Sequence, residues 1–210
     1  MPPETTVVPA DLVVDERSVF LNVPYDTPYA PLFTALIAGL VALGRAPRCA
    51  LEAQGKTRLE QIYGLIAGSR SSISDLSRVT LSGPFSVPRF NMPFELGIAF
   101  ALERGSGHRV FVFEEEAHRL QVSLSDMNAF DPQIHGGTED GIVDCLLDCF
   151  GTPSGSPSPA KIRLLSRKVS RVAARAQHER RREDPFTPAI FRALVDAALT
   201  YAHRDDLIAP

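Results

Sequence analysis

Three short segments carry most of the residues able to do chemistry: Asn22-Val-Pro-Tyr25-Asp26, Asp75-Leu-Ser77-Arg78 and Arg89-Phe-Asn91-Met-Pro-Phe-Glu95. Between them they hold carboxylates, guanidinium groups, hydroxyls and an aromatic ring. That set suits a ligand with both a charged phosphate and a sugar. Glu95 is the most informative, because it stands in Met92-Pro-Phe-Glu-Leu-Gly-Ile-Ala-Phe-Ala-Leu102, where every neighbour is apolar or glycine. Burial disfavours a carboxylate's charged form, while the positive end of a helix one turn away offsets part of that cost. A carboxylate balanced in this way suits covalent or electrostatic work on a sugar carbon, where an oxocarbenium-like centre needs a nearby negative charge. The competing reading is a first-turn glutamate that only complements its helix dipole.

The other candidates carry paired readings too. Asp75 ends a strand and either contacts ribose hydroxyls or a reacting base, or closes an Asx-type turn. Arg78 and Arg89 either clamp a phosphate, which the guanidinium fork matches, or are solvated loop arginines. Tyr25 either stacks on a base or covers surface. Asn22, Asp26, Ser77 and Asn91 complete the candidate ligand-binding set, with Glu95 and Asp75 as the catalytic pair. Arg48, Glu52 and Arg58 read as salt-bridge partners.

Several chemistries lack their signatures. The five histidines are scattered, with His108 and His118 flanking a strand and none at metal-ligand spacing. Cys49, Cys145 and Cys149 make an odd number without a disulfide framework and read as buried, reduced thiols. There is no Gly-x-Gly-x-x-Gly, no complete Gly-x-x-x-x-Gly-Lys-Ser/Thr phosphate loop and no Gly-x-Ser-x-Gly elbow.

These residues must be positioned by alternating strands and helices. Residues 1–17, with three prolines and alternating acids, read as an arm. Ser18–Val23 predicts a buried first strand, Tyr29–Leu43 a helix closed by Gly44, and Pro47–Leu51 a weak second strand. Thr57–Ser69 predicts a second helix with Thr57 as its cap, and Ser71–Leu76 a third, polar strand. A loop over 77–90 leads to a third helix, Met92–Arg104, capped by Asn91 with Pro93 in its first turn. His108–Phe113 is the clearest strand, and Thr138–Phe150 a further amphipathic helix. Such alternation implies an open parallel sheet of four to five strands, flavodoxin-like, with helices on both faces. Ligands of these sheets bind outside the carboxyl ends of the strands, where the three segments converge.

The α/β domain is expected over residues 18–151. Thr152–Pro159 is a linker by composition, and residues 160–210 form a helical extension. That extension has a basic helix over Ala160–Arg182 and an amphipathic one over Pro188–His203. It is the expected surface for a homo-oligomer or a protein partner. The basic helix carries acids and no aromatics, so nucleic acid is not an expected partner.

Of the 210 residues 44% are apolar, enough for a real core, and the net charge of -3 gives no global attraction to nucleic acid or acidic membrane. The longest apolar stretch, Ala30–Leu43, is interrupted and too short to span a bilayer, and no signal-peptide pattern opens the chain. A soluble, cytoplasmic protein without a membrane partner is expected.

Phe94-Glu-Leu-Gly-Ile-Ala-Phe-Ala-Leu102, followed by Arg109-Val-Phe-Val-Phe113, resembles the E-L-G-x-A helix-plus-strand segment of nucleoside 2-deoxyribosyltransferases and related nucleotide N-hydrolases. Phe20–Asp26, Pro47–Glu52, Ser72–Arg78 and Pro88–Gly97 look like segments of short bacterial proteins. Those are like Toll/interleukin-1-receptor (TIR) domains or like the deoxyribosyltransferases. The resemblance covers about residues 18–150. Asn91-Met-Pro-Phe94 stands where the transferases carry a glycine-rich stretch. The resemblance implies that Glu95 is catalytic at the sugar C1′ and that the activity is an N-glycosidase or NAD-consuming hydrolase. No cofactor would be required, with NAD or another nucleotide as substrate. It also implies a role in bacterial antiviral defence. The alternative is a module that binds a nucleotide and a protein partner without turnover.

Overall fold

The computed structural model describes residues 13–53, 57–78, 81–82, 87–88, 90–124, 131–152, 155–180 and 184–208. Five strands form one all-parallel sheet: β1 (Asp15–Asn22), β2 (Ala46–Cys49), β3 (Ser69–Asp75), β6 (Arg109–Glu114) and β7 (Gln133–Ile134), in the order β2-β1-β3-β6-β7. A separate antiparallel ribbon pairs β4 (Leu81–Ser82) with β5 (Val87–Pro88) inside the expected 77–90 loop. The expected α/β open sheet is therefore present.

Helices cover both faces. α1 (Ala30–Ala42), α5 (Glu139–Phe150), α6 (Pro159–Arg180) and α7 (Pro188–Arg204) pack on one, and α2 (Arg58–Ala67) and α3 (Asn91–Ser106) on the other. The two-residue period of the strands divides the core accordingly. Val19, Leu21, Ile73 and Phe113 join the α1 side, whereas Phe20 faces α2 and α3, and Val112 meets Met92 and Leu96 of α3. Helix α1 has no polar face, since Leu32 through Ala42 are all buried between the sheet and three helices. At Gly39 an added Cβ would lie 2.5 Å from Leu146 of α5, so the small residue sets how closely those two helices approach.

The central strand β3 is buried yet rich in serine, and three of its four hydroxyls have partners among the described residues. Ser72 Oγ bonds His108 Nε2 at 2.7 Å, Ser69 Oγ donates to Leu65 O at 2.7 Å, and Ser74 Oγ accepts from Asn22 Nδ2 at 3.2 Å. His108 is locked from both sides, its Nδ1 meeting Ser69 O at 2.8 Å, and burial lowers its pKa. It is a strut between β3 and β6.

Several boundaries differ from expectation. β1 starts at Asp15, inside the expected arm, because Asp15 N–H donates to Gly68 O (3.0 Å) and the strand's exposed polar start hides its pattern. Residues 1–12 lie outside the described residues. Asn91 is the first helical residue of α3 and not its cap; Phe90 occupies the cap position without a side-chain bond. Thr57 precedes α2 but its hydroxyl accepts from Gln61 Nε2 (3.2 Å) instead of capping the helix. α4 (Arg119–Ser123) and β7 were not expected, both being too short to show a period.

The basic helix α6 and α7 share the α1 core through Ile162, Leu165, Val169, Phe191, Leu194 and Ala198. Charges on α6 are met by neighbouring elements: Arg163 pairs with Asp140 (2.8 Å) and Asp144 (2.9 Å), and Lys168 with Asp205 (2.5 Å). Cys49, Cys145 and Cys149 are free and buried, as expected, with burial pushing each thiol up to about 12. No helix among the described residues is long and apolar enough to cross a membrane.

Candidate active site

The carboxyl ends of β1 and β3, neighbours in the sheet, are where the chain reverses its winding direction. One crossover from there leads to the β2 edge and the other towards β6, the position at which open α/β sheets leave a crevice. Glu95 stands beside this point in the second turn of α3, and no acid occupies the helix's first turn. The dipole effect fades beyond the first turn, which weakens the helix-complementing reading. The side chain is 7% exposed, and desolvation raises its pKa to about 7 against an opposing pull from Arg58. Among the described residues no hydrogen bond reaches its carboxylate. Arg58 itself is held by a 2.7 Å bond from Nη1 to Ala53 O.

Around Glu95 the segment after β1 is firmly built. Asn22 is buried and donates from Nδ2 to Ser74 Oγ (3.2 Å) and Met92 O (2.7 Å), tying β1, β3 and α3 together. Tyr25 packs its ring on Phe33 and Phe186 (centroids 6.1 and 5.4 Å), so much of its apolar surface is already used. Its hydroxyl is buried near Cys49 and Glu95, which with desolvation raises its pKa well above the ordinary value. Asp26 caps the short turn Thr27–Tyr29, accepting from Tyr29 N–H at 3.2 Å. Asn91 is exposed and Arg78 half-buried, while Arg89 lies outside the described residues.

Asp75 belongs to a different environment. It shares strand parity with Ile73, so its side chain turns to the α1 face, opposite to Ser74 and Asn22. It is wholly buried and its two oxygens meet four donors. Tyr29 Oη donates to Oδ2, Ser77 N–H and Oγ donate to Oδ1 (2.9 and 2.5 Å), and His135 Nε2 stands 3.2 Å from Oδ2. His135 Nδ1 accepts from Gly137 N–H at 3.1 Å, which places the ring proton on Nε2. Gly136 and Gly137 both have positive φ (58° and 65°), the turn that folds this N–H back on the ring. Ser77, His135 and Asp75 do not form a proton relay, because Ser77 Oγ (3.0 Å) and Asp75 approach the same ring nitrogen. The structure thus separates the two catalytic candidates, with Glu95 unbonded on the α3 side and Asp75 saturated on the α1 side.

Sequence reading passed over Tyr29, His135, Glu114 and Arg119, which complete the Asp75 cluster. Glu114 ends β6 with 1% exposure, and neither of its oxygens has a hydrogen-bond partner among the described residues. Desolvation raises its pKa to about 7, opposed first by Arg119, whose Nη1 is bonded to Ser77 O (2.6 Å). The Gly136-Gly137 pair directly after it was the available signal for His135. A tyrosine directly after Pro28 at a helix start was the signal for Tyr29.

No set of three or more potential metal ligands is gathered among the described residues. No protein-family model, curated protein or solved structure matches this chain.

Proposed function

We propose that the chain is an N-glycosidase or NAD-consuming hydrolase acting on a nucleotide-type substrate, with Glu95 as nucleophile or transition-state stabiliser. The observation that carries this reading is a buried glutamate, free of hydrogen bonds among the described residues, beside the crevice position of a parallel sheet, with its pKa raised to about 7. A carboxylate whose lone pairs are not committed can respond to positive charge developing at C1′. In the covalent form of the step, a Glu95 oxygen bonds C1′ as the N-glycosidic bond breaks. The base leaves with the electron pair, nicotinamide departing neutral and any other base taking a proton from solvent. Water then hydrolyses the glycosyl ester to release the sugar, a proton and the free Glu95 carboxylate. Asp75 holds Tyr29, Ser77 and His135 in place under the rim. Arg78, and Arg89 in the same reading, supply phosphate contacts. Residues 160–210 provide the face for a second copy or a protein partner, and a role in bacterial defence accompanies the enzyme reading.

Purified protein incubated with NAD, nucleosides and nucleoside monophosphates is expected to release free base, and Glu95→Gln to release none. Because the ionised form acts, kcat/KM should rise with pH and level off above about 7. Turnover that survives Glu95→Gln removes Glu95 from the mechanism. Calorimetric nucleotide binding without product from the parent protein would favour the non-catalytic sensing or adaptor module instead.

A further inference from the structure

A groove of about 720 Å³ lies where α7 crosses the open edge of the sheet at β2, within the size range of small-molecule sites. Its floor is apolar, formed by Val41, Phe191, Val195, Leu199 and Ile208. Around that floor stand Arg17, Arg45, Arg48 and Arg192 against two carboxylates, Glu52 and Asp196. Glu52 is already engaged by Arg48 at 2.9 Å, whereas Arg17, Arg45 and Arg192 form no ion pair among the described residues. The Arg45 guanidinium lies over the Phe150 ring, 5.5 Å from its centroid, and its buried Nε has no hydrogen-bond partner among the described residues. On a chain of net charge -3, this is a local excess of cations bordering an apolar trough.

From this geometry we infer a binding site for a small amphipathic anion, an apolar body with a single carboxylate or phosphate end, held between α7 and β2. The apolar body would lie along Val195 and Leu199. The head would take charge-assisted bonds from the guanidinium groups of Arg17 and Arg192, since Arg45 Nη1 already donates to Glu16 O at 3.4 Å. An extended peptide fits less well. Pro47 sits inside β2 and has no N–H, so the open edge lacks a donor that strand addition needs. The site is independent of Glu95, which lies on α3 across the sheet.

The test is calorimetric titration of the full chain with dodecanoate, and with dodecanol as the uncharged probe of equal length. Dodecanoate should bind at one site, and dodecanol about tenfold or more weakly, the factor that about 1.4 kcal/mol from a charged contact provides. Leu199 and Arg192 are exposed helix positions whose replacement leaves the core intact. Leu199→Glu, which sets a like charge in the trough, should weaken dodecanoate by about tenfold or more, and Arg192→Gln by a smaller factor. Circular dichroism of each variant establishes that it is folded. Equal binding of the alcohol and the acid, undiminished binding to folded Leu199→Glu, or no saturable binding up to about 1 mM would each overturn the inference.

Discussion

Asp75 and Glu95 are both carboxylates buried at the carboxyl edge of the same sheet, yet their surroundings are opposite. Asp75 meets four donors from Tyr29, Ser77 and His135 and has nothing left to offer a ligand. Glu95 is buried with no hydrogen bond among the described residues and is pushed towards its neutral form. A saturated carboxylate organises the fold around itself. An unsaturated one costs the fold something, and that cost is tolerable where the group is needed for binding or chemistry. What separates Asp75 from Glu95 at this edge is therefore the donor set, not the depth.

The sharpest way to break this contrast is Asp75→Asn. The amide turns an N–H pair towards donors that expect an acceptor, and leaves a buried tyrosine hydroxyl and imidazole underpaired. Disrupting such a buried charged network costs on the order of 4 kcal/mol, read as a lowered denaturation midpoint at unchanged m-value. Full stability with abolished turnover would instead make Asp75 the chemical residue.

Glu95→Gln should act in the reverse direction on stability. The folded protein binds the Glu95 proton more tightly than the unfolded chain, so the ionised side chain penalises folding. That penalty grows as pH rises from about 4.5 through about 7 and is complete above it. Neutral glutamine escapes the penalty. The variant should gain up to about 3 kcal/mol over the parent at pH 8 and little at pH 4. Glu114 has the same tendency, but it is present in both proteins and cancels in the difference. A variant no more stable than the parent at pH 8 would show that the carboxylate is well paired, and the contrast with Asp75 would fail.

Long-period features were legible in the sequence and long-range pairings were not. The apolar spacing of α1, the Val-Phe-Val-Phe run of β6 and the alternation of strands with helices led to the parallel sheet. The all-apolar neighbourhood of Glu95 led to its burial. Ser77, two positions on, closes the Asx-type turn on Asp75 that the sequence offered. Its other partners, Tyr29 and His135, lie 46 and 60 positions away along the chain, and nothing local couples them. His135 follows a two-residue strand, too short for any periodicity to register. The serine-rich β3 looked polar for a buried strand because its hydrogen-bond partners, Asn22 and His108, come from flanking strands and strand ends. The basic helix read as a surface for a second copy or a partner because Asp140, Asp144 and Asp205, which answer its charges, belong to other elements.

The gentlest probe of the contrast is Tyr29→Phe. The ring is fully buried in the α1 core and stays there, so only the hydroxyl donor to Asp75 is removed. A hydrogen bond to a charged group contributes about 2 kcal/mol, and three donors from Ser77 and His135 remain to hold the carboxylate. The expected result is a loss of about that size, read from the denaturation midpoint at unchanged m-value. Turnover should change little, because Tyr29 and Asp75 lie on the α1 side and Glu95 on the other. Asn22, bonded to both Ser74 and Met92, is a polar tie between β3 and α3. If Tyr29→Phe reduces kcat as strongly as Glu95→Gln, the two carboxylates communicate through that tie, and the edge works as one unit.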